Sequence, residues 1–166
     1  MMIETERLEQ IPLSPRQLRL WVEDMAALEK ELSAVYRAEP LEGLFLEIVS
    51  TQMKITEKDP EYYQWHSFWF LIRKSDRMIV GATDFKDRPS DTGEVEIGYG
   101  LGKDFEHNGY MTEAVKALCD WAFGQSGVTS IIAETDLDGF ASHGVLTRCG
   151  FVKDSQGETL WWKKIK

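Results

Sequence analysis

The stretch that most constrains what this chain can fold into runs from Glu94 to Ala122, E-V-E-I-G-Y-G-L-G-K-D-F-E-H-N-G-Y-M-T-E-A-V-K-A-L-C-D-W-A. It opens with Glu94-Val95-Glu96-Ile97-Gly98-Tyr99, whose alternation marks a strand with one buried face. Glycines follow at 98, 100, 102 and 109. A helix is predicted from about Gly109 to Phe123, because Met111, Val115, Leu118 and Ala122 recur at helical spacing and Gly124 supplies a stop. A glycine-bearing turn before a helix leaves backbone N–H groups free at the positive end of the dipole. Such a place suits an anion, phosphate above all. The same glycines also fit an ordinary strand-to-helix connection, and the pattern alone leaves both readings open.

Strands are predicted before this unit. Phe68–Arg73 (F-W-F-L-I-R) is an unbroken apolar run, as in a strand buried on both faces. Lys74-Ser75-Asp76-Arg77 reads as a turn, Met78–Phe85 as the return strand, and Asp87–Gly93 as a loop. With Glu94–Tyr99 these make an antiparallel meander. After the helix, Ser130–Thr135 is a strand, and a strand–helix–strand crossover implies parallel pairing. A second helix follows from Phe140 to Cys149, with Ala141, Val145, Leu146 and Cys149 inward and Gly150 as its stop. Phe151-Val152 starts a strand, Gln156-Gly157 turns, and Thr159–Lys164 closes the chain.

The first third is predicted to be mostly helical. Leu8–Leu13 alternates like a strand. Ser14-Pro15 is a helix start, a hydroxyl cap with proline in the first turn. Leu18, Val22 and Met25 follow at helical spacing, and Asp24 can cap a continuation through Leu28 and Leu32. These pieces read as a helix pair or as one bent helix. Pro40 breaks the chain. Leu41–Lys58 is a helix with Leu44, Ile48, Thr51 and Ile55 on one face, ended by Asp59-Pro60. Glu61–His66 (E-Y-Y-Q-W-H) is a polar-aromatic linker that either lines a pocket or packs on the sheet. The fold class is thus mixed α/β, an antiparallel meander followed by a parallel β-α-β crossover. With 166 residues and no separating linker, one domain is expected, helices in 1–66 and the core in 67–166.

Composition narrows the function. Acidic residues number 28 against 19 basic ones, a formal net charge of −9. A nucleic-acid binder needs a basic face to displace counterions, so that class is not expected, whereas cationic or amine partners are mildly favoured. No apolar run approaches the roughly 20 residues that span a bilayer, so no membrane partner is expected. The N-terminus carries acids where a signal peptide has basic residues. Cys119 and Cys149 fall on apolar helix faces and read as buried thiols of a reduced, cytoplasmic protein. His66, His107 and His143 lack metal-ligand spacing, so no metal is expected. The sequence leaves monomer and homodimer both open.

The whole order resembles the GNAT N-acetyltransferases, in the branch that acetylates the N-terminal alanine of ribosomal proteins. Val95–Tyr99 (V-E-I-G-Y) resembles a strand of that branch, and Asn108–Val115 (N-G-Y-M-T-E-A-V) its G-Y-x-T-E-A signature. Ala141-Ser142, Val145-Leu146 and Cys149-Gly150-Phe151 are similar to its A-S-x-x-V-L-x-x-x-G-F segment, and Phe68-Trp69-Phe70 and Ile79-Val80-Gly81 also match. The likeness is close over residues 67 to 165 and only general before them.

The resemblance implies a GNAT-like acyl-CoA N-acyltransferase fold with an acetyl-CoA-binding core over 67–166, acceptor-side helices over 1–66, and acetyl transfer from acetyl-CoA to a small-molecule or peptide amine in a ternary complex. A non-catalytic CoA or acyl-CoA binder of the same fold is the alternative. It places the coenzyme A diphosphate on Glu106-His107-Asn108-Gly109-Tyr110-Met111. Glu106 stands where Gln or Arg is usual, and Met111 where Gly or Ala is usual. Backbone N–H groups do most of this work, so Glu106 is expected to point to solvent. Lys103 and His107 supply positive charge, and Thr112 a hydroxyl. Gly98, Tyr99, Gly100 and Leu101 form the strand that splays from its neighbour and admits the acetyl-pantetheine arm, and their N–H groups can polarise the thioester carbonyl. The amine must lose a proton before it attacks, and Glu96 is the candidate base, with Glu94 in reserve. The family's helix tyrosine, an acid for the departing thiolate, is Leu146 here, and Ser142 is the nearest hydroxyl. The family's coenzyme-contacting asparagine is Gly139. His143 reads as a surface residue.

Overall fold

Apolar alternation and unbroken apolar runs make a sheet the organising layer, and one nine-stranded mixed sheet runs through the computed structural model, which describes residues 1–166. In chain order the elements are β1 (Ile3–Glu4), β2 (Leu8–Pro12), α1 (Pro15–Glu23), α2 (Met25–Leu32), β3 (Val35–Tyr36), α3 (Gly43–Lys58), a 3-10 segment (Pro60–Trp65), β4 (Phe68–Arg73), β5 (Met78–Phe85), β6 (Glu94–Leu101), a 3-10 turn (Lys103–Phe105), α4 (Tyr110–Phe123), β7 (Ser130–Thr135), α5 (Phe140–Arg148), β8 (Val152–Gln156) and β9 (Leu160–Ile165). The strands lie in the order β1-β2-β4-β5-β6-β7-β9-β8, with β3 also on β5. β4, β5 and β6 form the antiparallel meander, and β6 and β7 are parallel across α4.

β4 explains its own composition. Phe68, Phe70 and Ile72 face a cluster built with α1, α2 and α3, while Trp69 and Leu71 face a larger one built on α4. A strand buried on both faces has no position for a polar residue. On the α4 side Trp65, Trp69, Phe85 and Trp121 form an aromatic cluster, with Trp65 4.8 Å from Phe85 and Trp69 5.0 Å from Trp121 between ring centroids. The linker of Glu61–His66 therefore packs on the sheet through Trp65.

Caps set the first helices. Ser14 Oγ accepts from the Gln17 N–H and the Gln17 side chain accepts from the Ser14 N–H, a complete capping box. The Asp24 N–H donates to Leu20 O and ends α1, while its carboxylate accepts from the Ala27 N–H and starts α2. One aspartate serving both ends makes a helix pair rather than one bent helix.

Two sequence expectations are corrected, and two short strands are added. α3 turns its other face inward: Val49, Met53 and Thr56 are buried, whereas Leu44, Ile48 and Ile55 are exposed. Phe45, Val49 and Met53 form a second apolar row at helical spacing, and this row meets the sheet. Ala141 is exposed and Val145 half-buried, so only Leu146 and Cys149 of the predicted inward set are fully buried. The short β1 and β3 carry too few residues for alternation to mark them.

The N-terminal strap is tied to α4 through Glu113. Its carboxylate accepts from Thr5 Oγ1 at 2.5 Å, from the Arg7 N–H at 2.9 Å and from Arg7 Nε at 2.8 Å. Burial pulls this carboxyl's pKa up, but the Thr5 and Arg7 hydrogen bonds outweigh burial and hold it below its ordinary value. A depressed carboxyl contributes stability above its unfolded pKa and loses it as pH falls through its folded pKa. Glu113→Gln is expected to cost about 1–2 kcal/mol at neutral pH, read by urea unfolding. The gap to wild type closes as the pH drops below the carboxylate range.

Candidate functional site

The sheet opens at its centre. β6 pairs with β7 only from Glu94–Ile97 to Ser130–Ala133. Beyond Ile97, β6 continues through Leu101 against β5 alone, while β7 continues against β9. The β7-facing edge of Gly98–Leu101 is thus left with free main-chain groups, which seek a partner.

The opening leads to a cleft of about 660 Å³ between the start of α4 and α5. Tyr99, Gly100 and Leu101 form one wall, Glu106, His107, Gly109, Tyr110, Met111 and Thr112 the second, and Ser142 and Arg148 of α5 the third. Gly109 precedes α4 with φ 79° and caps it without a side chain, and His107 also takes a left-handed φ of 66°. Two left-handed residues this close together can turn N–H groups toward one concavity, here at the positive end of a 14-residue helix. Most of the cofactor-side residues read from the sequence are therefore brought together.

Others fall elsewhere. Lys103 is exposed on the 3-10 turn and does not line the cleft. Asn108 braces the turn instead: Nδ2 donates to Phe105 O and Glu106 O, and its carbonyl accepts from Arg7. Gly139 caps α5 outside the cleft, and Gly98 lies on the other side of the sheet opening. Glu106 lines the cleft rather than pointing away from it; half its side chain stays exposed at the rim, 4.0 Å from His107 Nε2. His143 is half-buried, bonded to Asp136 O and stacked near Trp162.

Arg148 is the residue the sequence reading missed. Its Nε donates to Thr112 Oγ1 at 3.1 Å, which holds the guanidinium over the first turn of α4. A Cβ at Gly144 would lie 2.9 Å from Arg148 Nη1, so the glycine keeps space for it. The cation comes from 36 residues beyond Thr112 and not from the glycine-rich turn itself. A basic residue in the last turn of a helix otherwise reads as a dipole partner. The sequence held no clear signal for it.

Across the sheet sits a group of charges on β5 and β6. Lys86 Nζ is 3.2 Å from Asp84 Oδ2, and Glu94 is paired with Lys163 at 3.2 Å. Glu96 is half-buried and forms no ion pair of its own. Burial raises its pKa most; Lys86 opposes this, and Glu134, Asp84 and Glu94 add to it. Burial likewise raises the Asp84 pKa against the pull of Lys86. The Tyr99 hydroxyl donates to Ser142 O at 3.4 Å, and burial pushes its pKa up to about 12, so it remains a proton donor. A cleft at a helix N-terminus, a row of free backbone donors and carboxylates whose pKa burial raises can together support acyl transfer to an amine.

Comparisons with known proteins agree with this geometry. Residues 5–152 match the family model described as an acetyltransferase (GNAT) domain. The chain is 33% identical over 84 residues to the uncharacterized N-acetyltransferase YjdG of Bacillus subtilis, covering 51% of this chain and 50% of that protein. It is 32% identical over 114 residues to the probable N-acetyltransferase YjcK of the same species, covering 69% and 60%. The matches to these curated relatives thus span about half of their length. Among solved structures, the ribosomal-protein-S5-alanine acetyltransferase of Vibrio fischeri superposes with a TM-score of 0.72 at 17% identity, over 99% of this chain and 96% of that one. RimL, a ribosomal L7/L12 alpha-N-protein acetyltransferase solved with coenzyme A, gives 0.70 at 13% identity, over 99% and 98%. At these identities the likeness speaks for the fold.

Proposed function

Because this chain belongs to the GNAT acetyltransferase family, we propose that it transfers the acetyl group of acetyl-CoA to a primary amine by direct attack in a ternary complex. The observation that carries this reading is the sheet opening after Ile97, which joins the helix N-terminus and Arg148 on one side to the Asp84–Glu96 charges on the other. The N–H groups at Gly109 to Thr112 and the Arg148 guanidinium hold the diphosphate. The pantetheine arm lies along the free edge of Gly98–Leu101, whose N–H groups polarise the thioester carbonyl. Glu96 takes a proton from the amine, directly or through water. The thiolate leaves past Ser142 and Tyr99, the two hydroxyl residues where α5 faces β6. No helix is long and apolar enough to cross a membrane.

The test is release of free CoA from acetyl-CoA across an amine panel, with direct titration of CoA binding. Saturable release and a raised Tm with CoA support the reading. Stabilisation by CoA without turnover on any amine would leave a non-catalytic acyl-CoA binder. Arg148→Ala is expected to weaken CoA binding about ten- to a hundredfold, the weight of one or two charge-assisted hydrogen bonds. An unchanged Kd in that variant removes Arg148 from the phosphate site.

A further inference from the structure

A second, smaller cavity of about 180 Å³ lies on the opposite face of the sheet. Its walls are apolar: Phe45 and Ile48 from α3, Tyr36 from β3, Phe68 from β4 and Ala82 from β5. Its floor is not. Asp84, 5% exposed, and Lys86 form it, and Glu39 lines it from the loop before α3. Tyr99 and Gly100 line both this cavity and the cleft beside α4, so the two spaces share a wall at the sheet opening.

The floor is built against bare main chain. A Cβ at Gly98 would lie 2.6 Å from Lys86 Nζ and 2.8 Å from Asp84 Oδ1. Gly98 is thus needed for the ion pair to rest on β6, where β6 loses its β7 partner. The ionisable groups around Asp84 are Lys86 beside it, Tyr99 from β6, and Tyr36 and Glu39 from β3 and the loop after it, while Glu96 of β6 lies next to the cavity in a groove shared with Lys86. In the cavity two carboxylates, Asp84 and Glu39, stand against one ammonium, and Glu96 adds a third negative group beside it. That balance repels anionic ligands and attracts a cation.

We propose that this cavity is the acceptor site, that it takes a compact primary amine with an apolar body, and that Asp84 receives the ammonium. The word acceptor rests on the acetyl-transfer reading above; the ligand class rests on the cavity. An apolar cavity of roughly 150 Å³ holds one benzene ring, so this one admits a single ring or a short branched chain. Binding and proton removal are then divided between two carboxylates. Asp84 holds R–NH3+; one proton passes to the Glu96 carboxylate, directly or through water, leaving R–NH2. The nitrogen lone pair attacks the thioester carbonyl carbon, the C–S bond breaks, and the departing sulfur takes the second amine proton. The products are the N-acetyl amine and the CoA thiol, and Glu96 returns its proton to water.

Calorimetry on the full chain saturated with CoA tests this, with benzylamine as probe, benzyl alcohol as neutral control and phenylacetate as anionic control. Benzylamine is expected to bind, benzyl alcohol more weakly, and phenylacetate not at all. Asp84→Asn should weaken benzylamine at least about tenfold, leave benzyl alcohol unchanged and leave CoA affinity intact. Ala82→Leu, which fills the cavity, should remove binding of both. No benzylamine heat in the wild type, or equal heat in Asp84→Asn, overturns the proposal. If Asp84→Asn lacks a cooperative melting transition, Ala82→Leu decides, and undiminished benzylamine binding there overturns it too. Benzylamine that binds but is never acetylated counts against the transfer reading alone. With turnover, Asp84→Asn raises KM for the amine, whereas Glu96→Gln acts on kcat.

Discussion

Glu96→Gln lowers kcat for acetyl transfer by about 10²–10⁴-fold, the usual weight of a positioned proton acceptor, and leaves CoA affinity unchanged. The glutamine keeps the shape of the side chain and removes its basicity, so the loss reads proton transfer rather than packing. The pH profile gives the second readout. In the proposed mechanism the Glu96 carboxylate takes the amine proton, and burial holds its pKa above the ordinary value of 4.5. The rate of the wild type therefore climbs with pH along a limb displaced above the glutamate range, and the variant loses that limb. Asp84 is raised as well and interacts with Glu96, so the limb belongs to the pair. Measuring it in Asp84→Asn separates the two. A variant with wild-type kcat and an unaltered acid limb would remove Glu96 from the chemistry.

Trp69→Ala is expected to cost about 3–5 kcal/mol of stability, a large share of the roughly 5–15 kcal/mol that holds a domain folded. Trp69 is wholly buried in the middle of the sheet. Its ring packs 5.0 Å from Trp121 of α4 and 6.3 Å from Phe85 of β5. Its Nε1 donates to Gln64 O at 3.0 Å and so fastens the segment before β4. Truncation leaves a cavity and an unpartnered carbonyl. Trp69→Phe refills much of the volume without the N–H, and should recover most but not all of the loss. Urea midpoints for the three proteins check both steps, and a loss in Trp69→Ala below about 1 kcal/mol would mean that the cluster collapses around the gap.

Much of this architecture is legible in the residues because the local and global preferences coincide. The unbroken apolar run of β4 demanded two covered faces, and the alternation of β6 demanded one. Gly109 and the stripe of α4 placed the helix start where the structure has it, at Tyr110. The cleft wall of Tyr99, Gly100, Leu101, Glu106, His107 and Gly109 to Thr112 followed from adjacency in sequence. What escaped was set by tertiary packing. α3 carries two apolar rows, and periodicity cannot choose between them when only the sheet decides which is buried. Arg148 reaches the site through space from a different helix. Asp84 reads as an ordinary polar residue at a strand end; only the cavity above it, and the bare Gly98 beneath it, give it meaning.

The unpaired edge of Gly98–Leu101 has a consequence for how such a protein can diverge. A grip made by main-chain groups is present whatever side chains the strand carries, so it survives drift that would erase a pocket of side chains. The acceptor face is the opposite case: Phe45, Ile48, Ala82 and Asp84 act through their side chains alone. Descent can therefore exchange one amine for another by replacing a handful of residues on α3 and β5, while the donor half of the reaction is inherited with the path of the backbone.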